Sequence, residues 1–180
     1  MGRPKQLLPI EGQAMLIRAV RACLDADLWP VVVVLGANRE SIRPALARLP
    51  VIAVDNLAWQ DGMASSLRAG VEKLKQFSRS VPGALVALCD QPAFAADVVR
   101  KLQAAQATAP DRGIAAARYG GRCGAPALFR REYFTELSGL TGDQGARAVL
   151  RRESEVISVD LPELAADLDT PEDYQACQPG

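Results

Sequence analysis

A chain of 180 residues is long enough for one domain with its own core, and a composition of 49% hydrophobic and 23% charged residues is that of a globular protein. Lys plus Arg and Asp plus Glu number 21 each, so no net charge favours nucleic acid or an anionic membrane surface as a partner. The absence of histidine excludes imidazole catalysis and most transition-metal sites, and leaves carboxylates, Lys, Arg and backbone amides to carry any chemistry.

The first half of the chain alternates between helical and strand patterns. Apolar residues recur at helical spacing from Met15 to Leu24, and the β-branched run "WPVVVVLG" that follows is typical of a strand buried on both faces. The same alternation then continues with a predicted helix over Arg39 to Leu49, a strand at "VIAV", a helix over Ser65 to Phe77, a strand at "ALVALC" and a helix over Ala95 to Ala109.

The second half is less regular. It predicts a strand at "GIAAAR", a short extended segment at "APALF", helices near Arg131 to Leu137 and Ala146 to Arg151, a strand at "VISVDL" and a helix opened by "DTPEDY". Alternation with short connections predicts a doubly wound α/β fold with a mainly parallel sheet, in a single domain over residues 1–180. In such folds ligands bind at the carboxyl ends of the strands, so residues that follow strands are the candidates for function.

The sequence also bears on where the protein acts. The apolar stretch around Trp29 to Ala37 is too short to span a bilayer, and the N-terminus lacks the apolar region of a signal peptide. The four cysteines are scattered without a C-x-x-C pair, which argues against a zinc ribbon or a disulfide framework. We therefore expect a cytoplasmic protein with small-molecule partners.

Two aspartates are candidate metal ligands. Asp90 in "VALCDQP" follows a predicted strand, where its carboxylate would either bind magnesium or cap the next helix. In "DLDTPEDY", helix capping explains most of the residues by itself, but it does not prevent an aspartate there from also reaching a metal.

Two further segments are candidate anion sites. "NLAWQDGMASSLRAG" joins Gly62 to a predicted Ser-capped helix, a turn that is able to present backbone amides to a nucleotide. "GRPKQLL" supplies a guanidinium and an ammonium that would suit a triphosphate, with a solvated basic terminus as the alternative.

Taken together, the segments "MGRPKQLLPIEG", "DNLAWQDGMASSLRAG", "CDQP", "GRCGAPALF", "GDQGAR" and "DLDTPEDY" resemble the molybdenum-cofactor nucleotidyltransferases, and most of all the molybdopterin cytidylyltransferase branch with its purine-hydroxylase accessory proteins. The resemblance covers essentially the whole chain. It implies a Rossmann-like nucleotidyltransferase fold and magnesium-dependent transfer of CMP from CTP to molybdopterin, for delivery to a molybdoenzyme. "Asp-Gln-Pro" resembles the cytidylyl branch, which makes CTP the expected donor rather than GTP.

The resemblance also implies roles for individual residues. Lys5 and Arg3 would hold the triphosphate, with Lys5 and Asp90 as the catalytic pair, and Asp90 and Asp169 would bind Mg²⁺. The nucleotide would lie against Gly62, Ser65, Ser66 and Arg68. Asp143 and Arg147 would face the acceptor.

The chain departs from the family pattern at two places. Family members carry a strand and a glycine-rich turn ahead of the segment that starts here at Met1, so we expect a fold without the usual first strand; truncation, re-pairing of strands and loss of catalysis are the competing explanations. Ala125 stands where the family usually has histidine. Two alternatives to molybdopterin transfer follow: a nucleotidyltransferase for a polyol or sugar phosphate, and a non-catalytic molybdopterin-binding protein.

Overall fold

The computed structural model describes residues 4–151, 156–168 and 173–174. The described helices are α1 Met15–Leu24, α2 Arg39–Ile42, α3 Met63–Phe77, α4 Ala96–Thr108, α5 Phe134–Gly139 and α6 Arg147–Leu150. The strands are β1 Pro9–Ile10, β2 Gln13–Ala14, β3 Val32–Leu35, β4 Ile52–Asp55, β5 Gly83–Val86, β6 Ile114–Tyr119, β7 Arg122–Arg130 and β8 Val156–Asp160. Short 3-10 helices cover Lys5–Leu7, Arg43–Leu46, Trp59–Asp61, Arg131–Tyr133 and Pro162–Ala165.

The strands form a four-stranded sheet and two separate pairs. In the four-stranded sheet the order is β5-β7-β6-β8, with β7 antiparallel to both of its neighbours and β6 parallel to β8. β3 pairs with β4 in parallel, and β1 and β2 form a small antiparallel hairpin. The predicted α/β fold class is thus confirmed, and the antiparallel strand β7 makes the sheet mixed.

The core follows the apolar patterns of the sequence. Residues Ile114 to Ala117 of β6 are fully buried because helices cover both faces of this strand. α1 directs Leu16 and Val20 toward β3, where they pack with Val33 and Leu35. Its apolar residues recur at helical spacing, so the same stripe that predicts the helix also attaches it to the sheet.

Several elements differ from the sequence prediction. α2 ends at Ile42 and continues as a 3-10 helix, since Pro44 cannot donate to an α-helical hydrogen bond. α3 begins at Met63, two residues before the predicted start, directly after Gly62. The hairpin β1–β2 is absent from the prediction, although its turn residues Glu11 and Gly12 both have positive φ, which is typical of a two-residue hairpin turn.

The largest difference concerns "APALF", which belongs to the nine-residue strand β7. The sequence does not predict the full strand because Gly124 and Pro126 lie within it, and both residue types are unfavourable in regular strands. The pairing with β6 shifts register between Ala116 and Ala117, whose partners are Ala127 and Gly124, so that Ala125 and Pro126 form a bulge.

A cavity of about 880 Å³ lies between β3 and β5. Its walls include Val31 to Val34, at the start of β3, and Gly83 to Leu88, from β5 and the residues after it, and α1 and α3 supply part of the remaining apolar lining. β3 pairs on one edge with β4 and β5 pairs on one edge with β7, so within the described ranges neither strand has a ladder partner on its second edge. We call this space the strand-edge cavity.

No helix in the described part of the chain is long and apolar enough to cross a membrane.

Candidate active site

A partly buried ion pair connects the first 3-10 helix to the segment that follows β5. Lys5 lies in the first 3-10 helix, and its Nζ is 2.9 Å from Oδ2 of Asp90, which follows β5. The side chains of Lys5 and Asp90 are 32% and 20% exposed, so the pair is shielded but accessible from one side. The structure therefore brings together, from positions 85 residues apart, the two residues predicted to act as the catalytic pair.

The second oxygen of Asp90 fits a metal ligand. Its Oδ1 is buried and has no hydrogen-bond partner among the described residues. A buried carboxylate oxygen without a donor is costly unless something else binds it, and a hard oxygen of this kind is what divalent cations prefer. Helix capping does not explain Asp90, because α4 has Ala95 at its N-cap position and no side-chain cap. One oxygen of Asp90 thus fits a divalent cation, and the described residues contain no group of three or more His, Cys, Asp or Glu side chains that would hold one by themselves.

At the end of β4, Asn56 organises the turn that leads to α3. Its side chain is buried, and its Nδ2 donates to Oγ of Ser65 at 2.8 Å and of Ser66 at 3.0 Å. Its Oδ1 accepts from the backbone N–H of Ala58 at 3.0 Å, which closes an Asx turn. Asn56 therefore holds both serines that were predicted to contact the nucleotide.

Ser65 does not cap α3 as the sequence suggested. It lies inside the first helical turn, and its hydroxyl donates to the carbonyl oxygen of Gly62 at 2.8 Å. Gly62 is the N-cap residue and has no side chain to accept from the helix. No side chain caps the start of α3, but the N–H of Ser65 donates to the carbonyl oxygen of Gly62 at 3.2 Å, so the turn does not keep all of its amides for an anion.

Gly62 also touches the segment that contains Asp143. Its φ of +94° is rare for residues with a side chain, and a Cβ at this position would overlap the carbonyl group of Gly142 and lie 2.7 Å from Oδ1 of Asp143. The N–H of Ala64 donates to the carbonyl oxygen of Gly142 at 3.0 Å. The candidate nucleotide turn and the candidate acceptor segment are therefore in direct backbone contact.

Arg68 makes contacts within the protein. Its Nε donates to the carbonyl oxygen of Ser138 at 3.1 Å and its Nη2 to that of Leu140 at 3.0 Å. These carbonyls belong to the end of α5, where a positive charge is favoured by the helix dipole. Arg68 joins α3 to α5 and remains exposed to solvent.

Asp143 and Arg147 are exposed near the start of α6, in reach of a ligand. Arg147 is also one of the charges that act on Tyr119, at the end of β6. Burial is the main reason that the pKa of Tyr119 is raised, Asp167 contributes to the increase, and a hydrogen bond from Gln91 and the charges of Arg147 and Arg122 oppose it. These charged groups therefore lie around one hydroxyl beside the end of the sheet.

Comparison with known proteins assigns the family. The family model of the MobA-like NTP transferase domain matches residues 1–156. The chain belongs to the MobA-like NTP transferase domain family. It is 32% identical to nicotine blue oxidoreductase of Paenarthrobacter nicotinovorans over 85% of this chain and 76% of that protein, and 29% identical to the purine catabolism protein PucB of Bacillus subtilis over 97% and 87%.

Solved structures share the fold of this MobA-like chain. The crystal structure of Rv0371c from Mycobacterium tuberculosis has a TM-score of 0.77 and 28% identity, with 98% of this chain and 90% of that chain covered. A manganese complex of the same protein has a TM-score of 0.75 and 29% identity, with 98% and 92% covered. The resemblance to molybdenum-cofactor nucleotidyltransferases is confirmed at the level of the family, and the enzyme class is that of a nucleotidyltransferase.

The MobA-like site was only partly visible in the sequence. Arg3 and Asp169 lie outside the described residues, so their predicted roles remain predictions. Asn56 and Gln91 are buried polar residues that the sequence analysis does not predict as site residues. The signal that identifies them is position, since Asn56 follows β4 directly and Gln91 is the middle residue of Asp-Gln-Pro.

Proposed function

We propose that this MobA-like protein is a magnesium-dependent cytidylyltransferase that transfers CMP from CTP to molybdopterin and releases pyrophosphate. The observation that carries the proposal is the ion pair of Lys5 and Asp90 at the end of β5, with Oδ1 of Asp90 buried and left without a partner among the described residues. An ammonium beside a carboxylate with a free oxygen suits a metal-bound triphosphate.

Each side chain has a role in this proposal. Lys5, with Arg3, neutralises the outer phosphates of CTP, and Asp90, with Asp169, holds the metal. A bound divalent cation supplies charge neutralisation at the phosphate oxygens. The nucleotide lies against the turn at Gly62, and Ser65, Ser66 and Arg68 support that turn.

In the transfer, a phosphate oxygen of molybdopterin forms a bond to the α-phosphorus of CTP. The bond from this phosphorus to the bridging oxygen breaks, and the electron pair leaves with pyrophosphate. A phosphate monoester is largely ionised near neutral pH, so no protein base has to remove a proton, which agrees with a chain that lacks histidine. Asp143 and Arg147 orient the acceptor in this proposal.

The choice of CTP over GTP rests on the resemblance of Asp-Gln-Pro to the cytidylyl branch. A cytoplasmic location and a molybdoenzyme as the recipient of the product belong to the same proposal. The names of the relatives from Bacillus and Paenarthrobacter denote purine catabolism and an oxidoreductase. The family match and the Lys5–Asp90 pair favour group transfer for this chain.

A non-catalytic molybdopterin-binding protein is the second candidate. The observation in its favour is that Ser65 and Arg68 are engaged in hydrogen bonds within the protein. It predicts pterin binding without release of pyrophosphate. An enzyme for a polyol or sugar phosphate would release pyrophosphate with that acceptor instead of molybdopterin.

Calorimetric titration of CTP, GTP and CMP with and without Mg²⁺ tests the proposal. Asp90→Asn is expected to remove the metal-dependent part of CTP binding, at least tenfold in Kd, while the free energy of unfolding changes little. Asp97→Asn is the matched control, since Asp97 is exposed on α4. A loss of stability without a selective effect of metal would show that Asp90 has a structural role only.

Lys5→Ala is expected to weaken CTP binding much more than CMP binding, because Lys5 is assigned to the outer phosphates. Lys101→Ala is the control for an exposed lysine. Equal weakening of CTP and CMP would contradict the assignment of Lys5. Release of pyrophosphate from CTP and molybdopterin by the wild-type chain decides between the enzyme and the binding protein.

A further inference from the structure

Gln91 is a buried amide with an unusual set of contacts. Its side chain is 3% exposed, and its Nε2 lies 3.1 Å from the hydroxyl oxygen of Tyr119, 3.1 Å from the carbonyl oxygen of Ala125 and 3.3 Å from that of Leu164. An amide nitrogen has two hydrogens, so these three acceptors share them. Gln91 thus connects the end of β5 to the end of β6, to β7 and to the 3-10 helix Pro162–Ala165.

The carbonyl group of Ala125 is the centre of these contacts. Ala125 lies in the bulge of β7, where the register shift leaves it without a partner in β6. The Tyr119 hydroxyl donates to this carbonyl oxygen at 2.7 Å, and Gln91 donates to it from the other element. Two side chains therefore replace the missing ladder hydrogen bond and fix the position of the bulge.

The amide at position 91 has a cost as well as a benefit for stability. The Oε1 of Gln91 is buried and has no partner among the described residues. A buried acceptor without a donor costs about 1–3 kcal/mol, and an apolar side chain of similar size would avoid this cost but would remove the donor to the carbonyl oxygens of Ala125 and Leu164. The donor half of this amide therefore has the role of holding these two backbone groups.

The hydrogen-bond partners of Gln91 are not among the predicted nucleotide contacts. Its partners belong to β6, β7 and residues 162–165, whereas the predicted nucleotide contacts follow β4 or belong to the segment of Lys5. In an in-line displacement the acceptor approaches the phosphorus from the side opposite the leaving group. Arg147, assigned to the acceptor, lies close enough to Tyr119 for its charge to act on that hydroxyl, so the elements that Gln91 contacts are also near the acceptor residues.

We propose that Gln91 is a positioning residue for the acceptor: it holds the β7 bulge at Ala125 beside Asp90, so that residue 91 governs acceptor binding and not the choice between CTP and GTP. This inference rests on the proposed function. It gives Asp-Gln-Pro a meaning different from the one suggested by its resemblance to the cytidylyl branch, since the glutamine would distinguish acceptor loops and not bases.

Steady-state kinetics of Gln91→Met with CTP, GTP and molybdopterin tests the inference. Methionine keeps the approximate size of the side chain and removes the donor. We expect KM for molybdopterin to rise tenfold or more, with KM for CTP and the ratio of kcat/KM for CTP and GTP within twofold of wild type. Gln76→Met, at an exposed position of α3, is the control for the same substitution and is expected to leave all three values unchanged.

Tyr119→Phe provides a second variant in case Gln91→Met does not fold. It removes the other donor to Ala125, so KM for molybdopterin is expected to rise about threefold, again without a change in nucleotide preference. A shift of either variant toward GTP with an unchanged KM for molybdopterin would overturn this inference and leave the proposed function intact. If wild type forms no product from CTP and molybdopterin, the proposed function fails first, and the role of Gln91 fails with it.

Discussion

β6 and β3 have similar sequences but different surroundings. β3 and the first four residues of β6 are both short apolar runs, "VVVL" and "IAAA". β6 is paired along both edges by β7 and β8, and Ile114 to Ala117 are fully buried. β3 is paired along one edge by β4, and its second edge faces the strand-edge cavity. Apolar composition thus selects the strand conformation, while the neighbours decide how strongly the strand is held.

Within the described residues, the four-stranded sheet and the β3–β4 pair are joined by helices and not by strand pairing. α1 packs on β3 and also contacts α4, which covers the four-stranded sheet. α3 contacts β3 and β4 on one side and α5 on the other. We therefore expect the four-stranded sheet to dominate the stability of the protein and the β3–β4 pair to depend on the helices that cover it.

The largest expected effect on stability comes from a core substitution in the four-stranded sheet, the more stable of the two parts. Phe129→Ala in β7 removes a fully buried ring and is expected to lower the free energy of unfolding by about 3–5 kcal/mol. Val33→Ala in β3 is expected to cost about 1.6 kcal/mol, and less than Val156→Ala in β8, because fewer neighbours surround β3. Urea unfolding followed by circular dichroism measures all three. Equal costs for Val33→Ala and Val156→Ala would contradict the difference between the two parts.

Amide hydrogen exchange compares the local stability of β3 and β6 without a substitution. The amides of β6 are expected to exchange through global unfolding, and those of β3 through local opening that costs about 2 kcal/mol less, which corresponds to roughly 30-fold faster exchange. Exchange followed by NMR at neutral pH measures both strands in one sample. Equal protection of β3 and β6 would show that the open edge has no effect on local stability.

The smallest expected effect tests whether the strand-edge cavity is dry. Burial raises the pKa of Cys23, on α1 beside the cavity, to about 11 from an ordinary value of 9.0. The folded state therefore holds this proton more tightly than the unfolded state, so stability is complete below pH 9 and falls as the pH rises from 9 to 11. At pH 10 this loss is about 1.4 kcal/mol, and Cys23→Ala is expected to remove it.

Urea unfolding of wild type and Cys23→Ala at pH 8 and pH 10 measures that difference. Cys89, whose pKa is also raised to about 11 mainly by burial, contributes a similar pH dependence to both proteins and cancels in the comparison. Identical pH dependence of wild type and variant would show that water reaches the Cys23 thiol.

The sequence predicts those features that depend on local pattern. β3, β5 and α4 are continuous apolar or amphipathic segments, and Asp90 could be placed at a strand end because "ALVALC" stops at Pro92. β7 was underestimated because a glycine and a proline lie within it and a bulge interrupts its pairing. Local pattern does not reveal contacts between distant residues, so the pairing of Lys5 with Asp90 came from family resemblance.

Buried polar contacts were the hardest to predict. Gln91 meets Tyr119, Ala125 and Leu164, which are 28, 34 and 73 residues away along the chain. Spacing carries no information about such contacts, because they depend on how β6, β7 and the last 3-10 helix come together. The functional importance of position 91 therefore becomes visible only in three dimensions.

The two tryptophans give each end of the β3–β4 region its own optical reporter. Trp29 precedes β3, is 60% exposed, and packs edge-on against Phe77 at the end of α3. Trp59 follows β4 in the turn to Gly62, and a Cβ on Gly36 would lie 2.8 Å from its Cβ. Fluorescence of a chain with Trp59 alone would follow the nucleotide turn, and that of a chain with Trp29 alone would follow the opposite end of the strands. Intrinsic emission therefore allows changes at the two ends to be recorded separately, without an added dye.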